Sequence, residues 1–127
     1  MIWNGRRVRV FACTAPTDLR KGFDGLSALV RQSLGRDPTS GDLYLFVARN
    51  RIRAKVLLWD GTGLCIYAKR LEEGRFACLW KRVRDGQVEL SGAELELFLE
   101  GCQEVGRRRL SPPRVNPNRN ILPADLM

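Results

Sequence analysis

The chain predicts an α+β fold: a small antiparallel β-sheet of meander type, one helix packed across it, and a second helix near the C-terminus. Leu19, Phe23, Leu26, Val30 and Leu34 recur at spacings of three and four, with Leu29 beside them, and draw one apolar stripe along a helix. Leu43–Val47, Ala54–Trp59 and Leu64–Lys69 are short strand-like runs, and turn-forming residues separate them. Ser91-Gly92-Ala93-Glu94 is a capping box, with Ser at the cap and Glu three residues on, ahead of Leu95, Phe98, Leu99 and Cys102.

The elements follow in order. Arg7 to Ala12 alternates as a strand, with Val8 and Val10 on one face, until Pro16 and Thr17 break it. Thr17 or Asp18 caps the first helix, which continues through Leu34 and stops at Gly35. Gly22 and Gly25 weaken that helix by roughly 1 kcal/mol each relative to Ala, and mark either a close neighbour or an irregular first turn. Asp37-Pro38-Thr39-Ser40-Gly41-Asp42 is turn chemistry throughout. Asn50 is a natural turn residue between the first two strands of the meander, and Asp60-Gly61 closes the second. Phe76 to Trp80 is apolar and short, and Gln87 to Leu90 reads as a last strand. The second helix turns Glu94, Glu96, Glu100 and Glu104 outward, and Gly106 ends it. Residues 1–106 form one domain. Residues 107–127, with four prolines and Arg107-Arg108-Arg109, form a basic tail.

A length of 127 residues suits one domain with its own core, and 44% apolar composition excludes a disordered chain. No apolar run approaches the roughly 18 residues of a spanning helix, and the N-terminus lacks the apolar core of a signal peptide. A cytoplasmic protein is the expectation. Cys13, Cys65, Cys78 and Cys102 form no close pair and histidine is absent, so neither a zinc site nor any other metal is expected. Free thiols are the reading, and no cofactor is implied.

The formal net charge is +8, and Arg outnumbers Lys by 18 to 4. Codon usage in a high-GC genome accounts for part of that ratio but not for its clustering. Residues 49–84 hold ten cations against Asp60, Glu72 and Glu73. Residues 89–104 hold five acids and no cation, and residues 107–119 hold five Arg and no acid. Arg49, Arg51, Arg53 and Lys55 alternate, which places them in one row if the strand extends that far, or on a hairpin tip if it does not. The tip is the simpler arrangement. The third strand of the meander then returns toward it, bringing Lys69 and Arg70 close to Arg49, Arg51 and Arg53. A cation cluster of this kind suits the phosphate backbone of DNA.

Catalysis has weaker support. A metal-dependent nuclease needs two or three carboxylates converging on the metal. The candidates Asp18, Asp24, Asp60 and Glu72 each have an ordinary structural role as cap, helix surface, turn or solvated loop charge. No cysteine has an evident base partner. The chain reads as non-enzymatic.

Four segments carry a resemblance to a known family. They are Thr17-Asp18-Leu19-Arg20-Lys21-Gly22-Phe23-Asp24-Gly25-Leu26, Asp37-Pro38-Thr39-Ser40-Gly41-Asp42-Leu43-Tyr44-Leu45-Phe46, Lys55-Val56-Leu57-Leu58-Trp59-Asp60-Gly61-Thr62-Gly63-Leu64 and Tyr67-Ala68-Lys69-Arg70-Leu71-Glu72-Glu73-Gly74-Arg75-Phe76. In order and spacing, over about residues 8 to 101, they resemble the TnpB accessory proteins of the insertion-sequence sixty-six family, which are distinct from the RNA-guided nucleases that share the TnpB name. Family members commonly read Phe-x-Trp-Pro where this chain has Phe76-Ala77-Cys78-Leu79-Trp80-Lys81, and their C-terminal tails vary. The resemblance implies an accessory factor of a bacterial transposable element, encoded beside a separate transposase that performs the strand chemistry.

Three functions follow as expectations. The first is DNA binding by Arg49, Arg51, Arg53, Lys55, Lys69 and Arg70, with Arg20, Lys21 and the Arg107-Arg108-Arg109 arm adding phosphate contacts. The second is an adaptor that docks the partner transposase through the acidic helix at Glu96 and Glu100. The third is a divalent-metal nuclease built on Asp18, Asp24 or Asp60.

Overall fold

Leu43–Val47 is apolar at every position, as a strand covered on both faces must be. The computed structural model, which describes residues 2, 3, 6–80 and 86–102, places this strand at the centre of a five-stranded sheet. In chain order the elements are β1 (Ile2–Trp3), β2 (Arg6–Arg7), β3 (Val10–Cys13), α1 (Phe23–Gln32), β4 (Leu43–Val47), β5 (Arg53–Trp59), β6 (Leu64–Arg70), β7 (Gln87–Leu90) and α2 (Gly92–Leu99). β1 and β2 pair as a separate two-stranded ribbon. The large sheet runs β6-β5-β4-β3-β7.

The α+β class and the β4-β5-β6 meander stand as the sequence predicts. The sheet is mixed rather than wholly antiparallel, because β3 pairs parallel with β4. The intervening segment carries α1, and a crossover of that length returns the chain in the same direction. β7 then pairs antiparallel with β3 on the far side.

Alternation along the strands divides the core in two. Val10, Ala12, Leu43, Leu45, Val47, Ala54, Val56 and Leu58 face α2 and the buried segment around Phe76, Ala77 and Leu79. Phe11, Cys13, Tyr44, Phe46 and Leu57 face α1, which supplies Leu26 and Val30. Phe76 stacks on Phe98 at 5.0 Å between ring centroids, which fixes the 76–80 segment against α2.

α1 begins later than its apolar spacing predicts. Asp18 Oδ1 accepts the backbone N–H of Arg20 at 3.0 Å, and its carboxylate binds the Arg20 guanidinium at 2.8 Å. That local turn competes with helix, and Gly22 (φ −104°, ψ −148°) is still non-helical. Phe23 therefore stands at the helix entrance, 50% exposed, outside the stripe to which its spacing assigns it. A Cβ on Gly25 would lie 2.9 Å from the Lys21 Cβ, so the missing side chain lets Lys21 cross the first turn.

α2 has its capping box: Ser91 Oγ accepts the Glu94 N–H at 3.0 Å, and Glu94 Oε1 accepts the Ser91 N–H at 2.7 Å. Glu94 is thereby buried rather than outward. The helix ends at Leu99, well before Gly106, because Gly101 takes φ +92°. The Gly101 N–H reaches the Phe98 carbonyl and the Cys102 N–H the Leu97 carbonyl, the double hydrogen bond of a Schellman motif. Glu104, the domain boundary at 106 and the basic tail lie outside the described residues. None of the four cysteines is in a disulfide; Cys13 is buried and Cys65, Cys78 and Cys102 are half-buried.

Candidate nucleic-acid interface

The β4–β5 connection is a tight tip. The Arg51 N–H donates to the Ala48 carbonyl at 2.8 Å, and the Ala48 N–H donates to the Arg53 carbonyl at 3.0 Å. Asn50 is the turn residue its type predicts, with Oδ1 accepting the Ile52 N–H at 2.9 Å. The left-handed position falls one residue on, at Arg51 (φ 61°).

β5 begins at Arg53, so both readings of the basic row hold in part: Arg49 and Arg51 belong to the tip, Arg53 and Lys55 to the strand. The antiparallel register sets Arg53 directly opposite Arg70, Ala54 opposite Lys69 and Lys55 opposite Ala68. Period-two alternation then sorts these cations by face. Arg53, Lys55 and Arg70 share the face of Leu57 and α1, whereas Lys69 points to the α2 face. The meander brings Lys69 and Arg70 to the tip, but the pleat places them on opposite sides of the sheet.

Several of these cations already have work inside the fold. Lys69 Nζ donates to the Leu99 carbonyl at 2.7 Å, at the C-terminus of α2, where a cation meets the negative end of the helix dipole. Arg51 Nη1 donates to the Phe76 carbonyl at 3.1 Å. Arg20 is bound to Asp18 in a pair whose partners are 91% and 47% exposed, and that guanidinium holds the Asp18 carboxyl well below the usual carboxylate range. Lys55 Nζ donates to the Lys21 carbonyl at 3.1 Å, which draws the 17–22 loop down onto the basic face. Arg70 meets Glu72 at 3.2 Å in an exposed pair of little energetic weight.

Among the described residues no hydrogen bond or ion pair holds the side chains of Lys21, Arg49 or Arg53. Leu19, Arg53, Lys55, Ala68 and Arg70 line an open cleft of about 260 Å³ on and around this end of the sheet. The sequence offers Arg20 and Lys21 as added phosphate contacts but not the bond that draws their loop onto this surface, because the Lys55–Lys21 contact is not local. Arg107, Arg108 and Arg109 lie outside the described residues.

The carboxylates weighed for metal chemistry are dispersed. Asp60 Oδ1 accepts the backbone N–H groups of Thr62 and Gly63, each at 2.9 Å, and these bonds lower its pKa. Its other oxygen lies 3.5 Å from the Cys65 thiol, which burial and then Asp60 push up. Asp24 is exposed in the first turn of α1. Among the described residues no three His, Cys, Asp or Glu side chains are grouped to hold a metal. Also among these residues, no helix is long and apolar enough to cross a membrane.

The fold and this surface define a small α+β protein with a cation-bearing sheet end. The chain belongs to the family described as IS66 Orf2 like protein, whose model matches residues 8–109. It is 38% identical over 115 residues to the Uncharacterized protein y4jC of Sinorhizobium fredii, covering 89% of this chain and 97% of that relative. It is also 38% identical over 101 residues to the Uncharacterized protein y4hO of the same organism, covering 80% of this chain and 86% of that relative. No solved structure matches the chain. Membership supports an accessory role in the transposition of an insertion sequence.

Proposed function

We propose that this protein is a non-catalytic accessory factor in DNA transposition that binds duplex DNA through the hairpin end of its sheet. The pairing of Arg53 with Arg70 carries the reading. Like charges directly opposite one another destabilise a sheet, and a phosphate received between them relieves that repulsion. Lys55 continues the row on the same face, Lys21 lies over it and Arg49 extends it at the tip. The structural engagement of Asp18, Asp60 and Glu72 supports the non-catalytic part of the reading.

The test is a mobility-shift titration of the full chain on element-end and random duplexes across a salt series. The wild type should bind both duplexes at low salt, with affinity falling steeply as salt rises. Replacing Arg49, Arg53 and Arg70 together by Ala should reduce the log–log salt slope by about 3 on either duplex. Absence of binding at low salt, or a triple variant that binds like the wild type, overturns the proposal.

A further inference from the structure

We infer that the groove between β6 and α2 docks a basic segment of a partner protein, one that carries a large apolar anchor. The groove has a volume of about 430 Å³, and its floor is Leu43, Val56, Leu58 and Leu95, each at most 7% exposed. Tyr67, 51% exposed, and Leu99 form its walls. A concave apolar site of this size holds an inserted side chain with little rearrangement.

The rim supplies the charge preference. Glu96 and Glu100 line the groove, are exposed, and stand four residues apart on one helical face. Among the described residues neither carboxylate has a cationic partner. Their placement is unfavourable twice: like charges at this spacing repel, and both stand toward the negative end of the α2 dipole, which has no basic residue in its last turn. Lys69 also reaches the groove, but its ammonium is held by the Leu99 carbonyl. A cation entering beside the apolar anchor relieves both penalties, whereas nucleic acid is repelled. The groove lies on the sheet face opposite Arg53, Lys55 and Arg70, so this inference stands apart from the DNA-binding reading.

The experiment is fluorescence polarisation of the full chain with a labelled Arg-Arg-Leu-Arg-Arg peptide and its Arg-Arg-Ser-Arg-Arg counterpart. The Leu peptide should bind about tenfold more tightly, and a Glu96→Gln/Glu100→Gln variant should weaken it about tenfold. Circular dichroism and the DNA mobility shift should be unchanged in that variant, since both side chains are on the surface. Equal binding of the two peptides, binding of neither, or undiminished binding by the variant overturns the inference. Sedimentation showing self-association that the variant abolishes also overturns it, in favour of a second copy of this chain as the occupant.

Discussion

Arg51 and Phe76 are joined twice. The Arg51 carbonyl accepts the Phe76 N–H at 2.7 Å, and the Arg51 guanidinium donates to the Phe76 carbonyl at 3.1 Å. The hairpin tip is thus fastened to the buried segment that stacks on α2. One residue of the basic row is therefore a strut for the fold.

Arg51 and Arg53 should accordingly behave differently when truncated. Arg51→Ala should destabilise the protein by about 1–2 kcal/mol in urea unfolding, because it removes the charge-assisted hydrogen bond to the Phe76 carbonyl, while the left-handed backbone at this position carries a Cβ before and after the change. It should leave the salt slope of DNA binding close to that of the wild type. A slope reduced as much as in Arg53→Ala would show that the Arg51 guanidinium meets phosphate.

Arg53→Ala and Arg70→Ala should each leave stability unchanged or raise it by a few tenths of a kcal/mol, since either change removes the repulsion across β5 and β6. Each should also lower DNA affinity and reduce the salt slope by about 1. Chemical denaturation and mobility shift on the same preparations check both halves. Clear destabilisation by both variants would mean that the two guanidinium groups are supported by their neighbours rather than in conflict.

Lys69 contributes to α2. Lys69→Met keeps the apolar stem but removes the cation from the Leu99 carbonyl, and should cost about 0.5–1 kcal/mol. Amide hydrogen exchange should accelerate in the last turn of α2 more than in β5 or β6. Uniform acceleration across the domain would contradict a local role.

Acid should weaken the fold through identifiable carboxylates. Hydrogen bonds from Thr62 and Gly63 lower the Asp60 pKa, and the hydrogen bond from Arg9 lowers that of Glu89. A carboxyl whose folded pKa lies below its unfolded value stabilises the protein above the unfolded value, and that contribution is lost as pH falls through the folded one. Melting temperature should therefore be flat near neutrality and decline from about pH 4 downward. Asp60→Asn keeps an acceptor for the same backbone N–H groups, so its melting temperature near pH 7 should stay close to wild type while its acid decline becomes shallower. An acid limb identical to that of the wild type would remove Asp60 from the account.

Local chemistry made much of this protein legible in its sequence. The capping box at Ser91, the Asp60-Gly61 turn, the tip at Asn50 and the continuous apolar run of β4 each depend on neighbours close in the chain. The four motif segments likewise pointed to the family that the comparison then showed. Misreadings arose where a local competitor or a distant partner prevailed. Asp18 bound Arg20 instead of capping a helix, and Gly101 in the left-handed conformation ended α2 ahead of Gly106.

The sequence by itself determined the α+β class, the meander, the family and the presence of cations near the β4–β5 tip, because spacing and turn chemistry act over a few residues. Only the tertiary structure decided what each cation does. The parallel β3–β4 pairing, the Arg53–Arg70 register, the Lys55 bond to the 17–22 loop, the Lys69 bond to α2 and the Arg51 clasp on Phe76 join residues far apart in the chain. Pleating then assigned neighbours such as Lys69 and Arg70 to opposite faces, so that one joins the basic surface and the other serves a helix end.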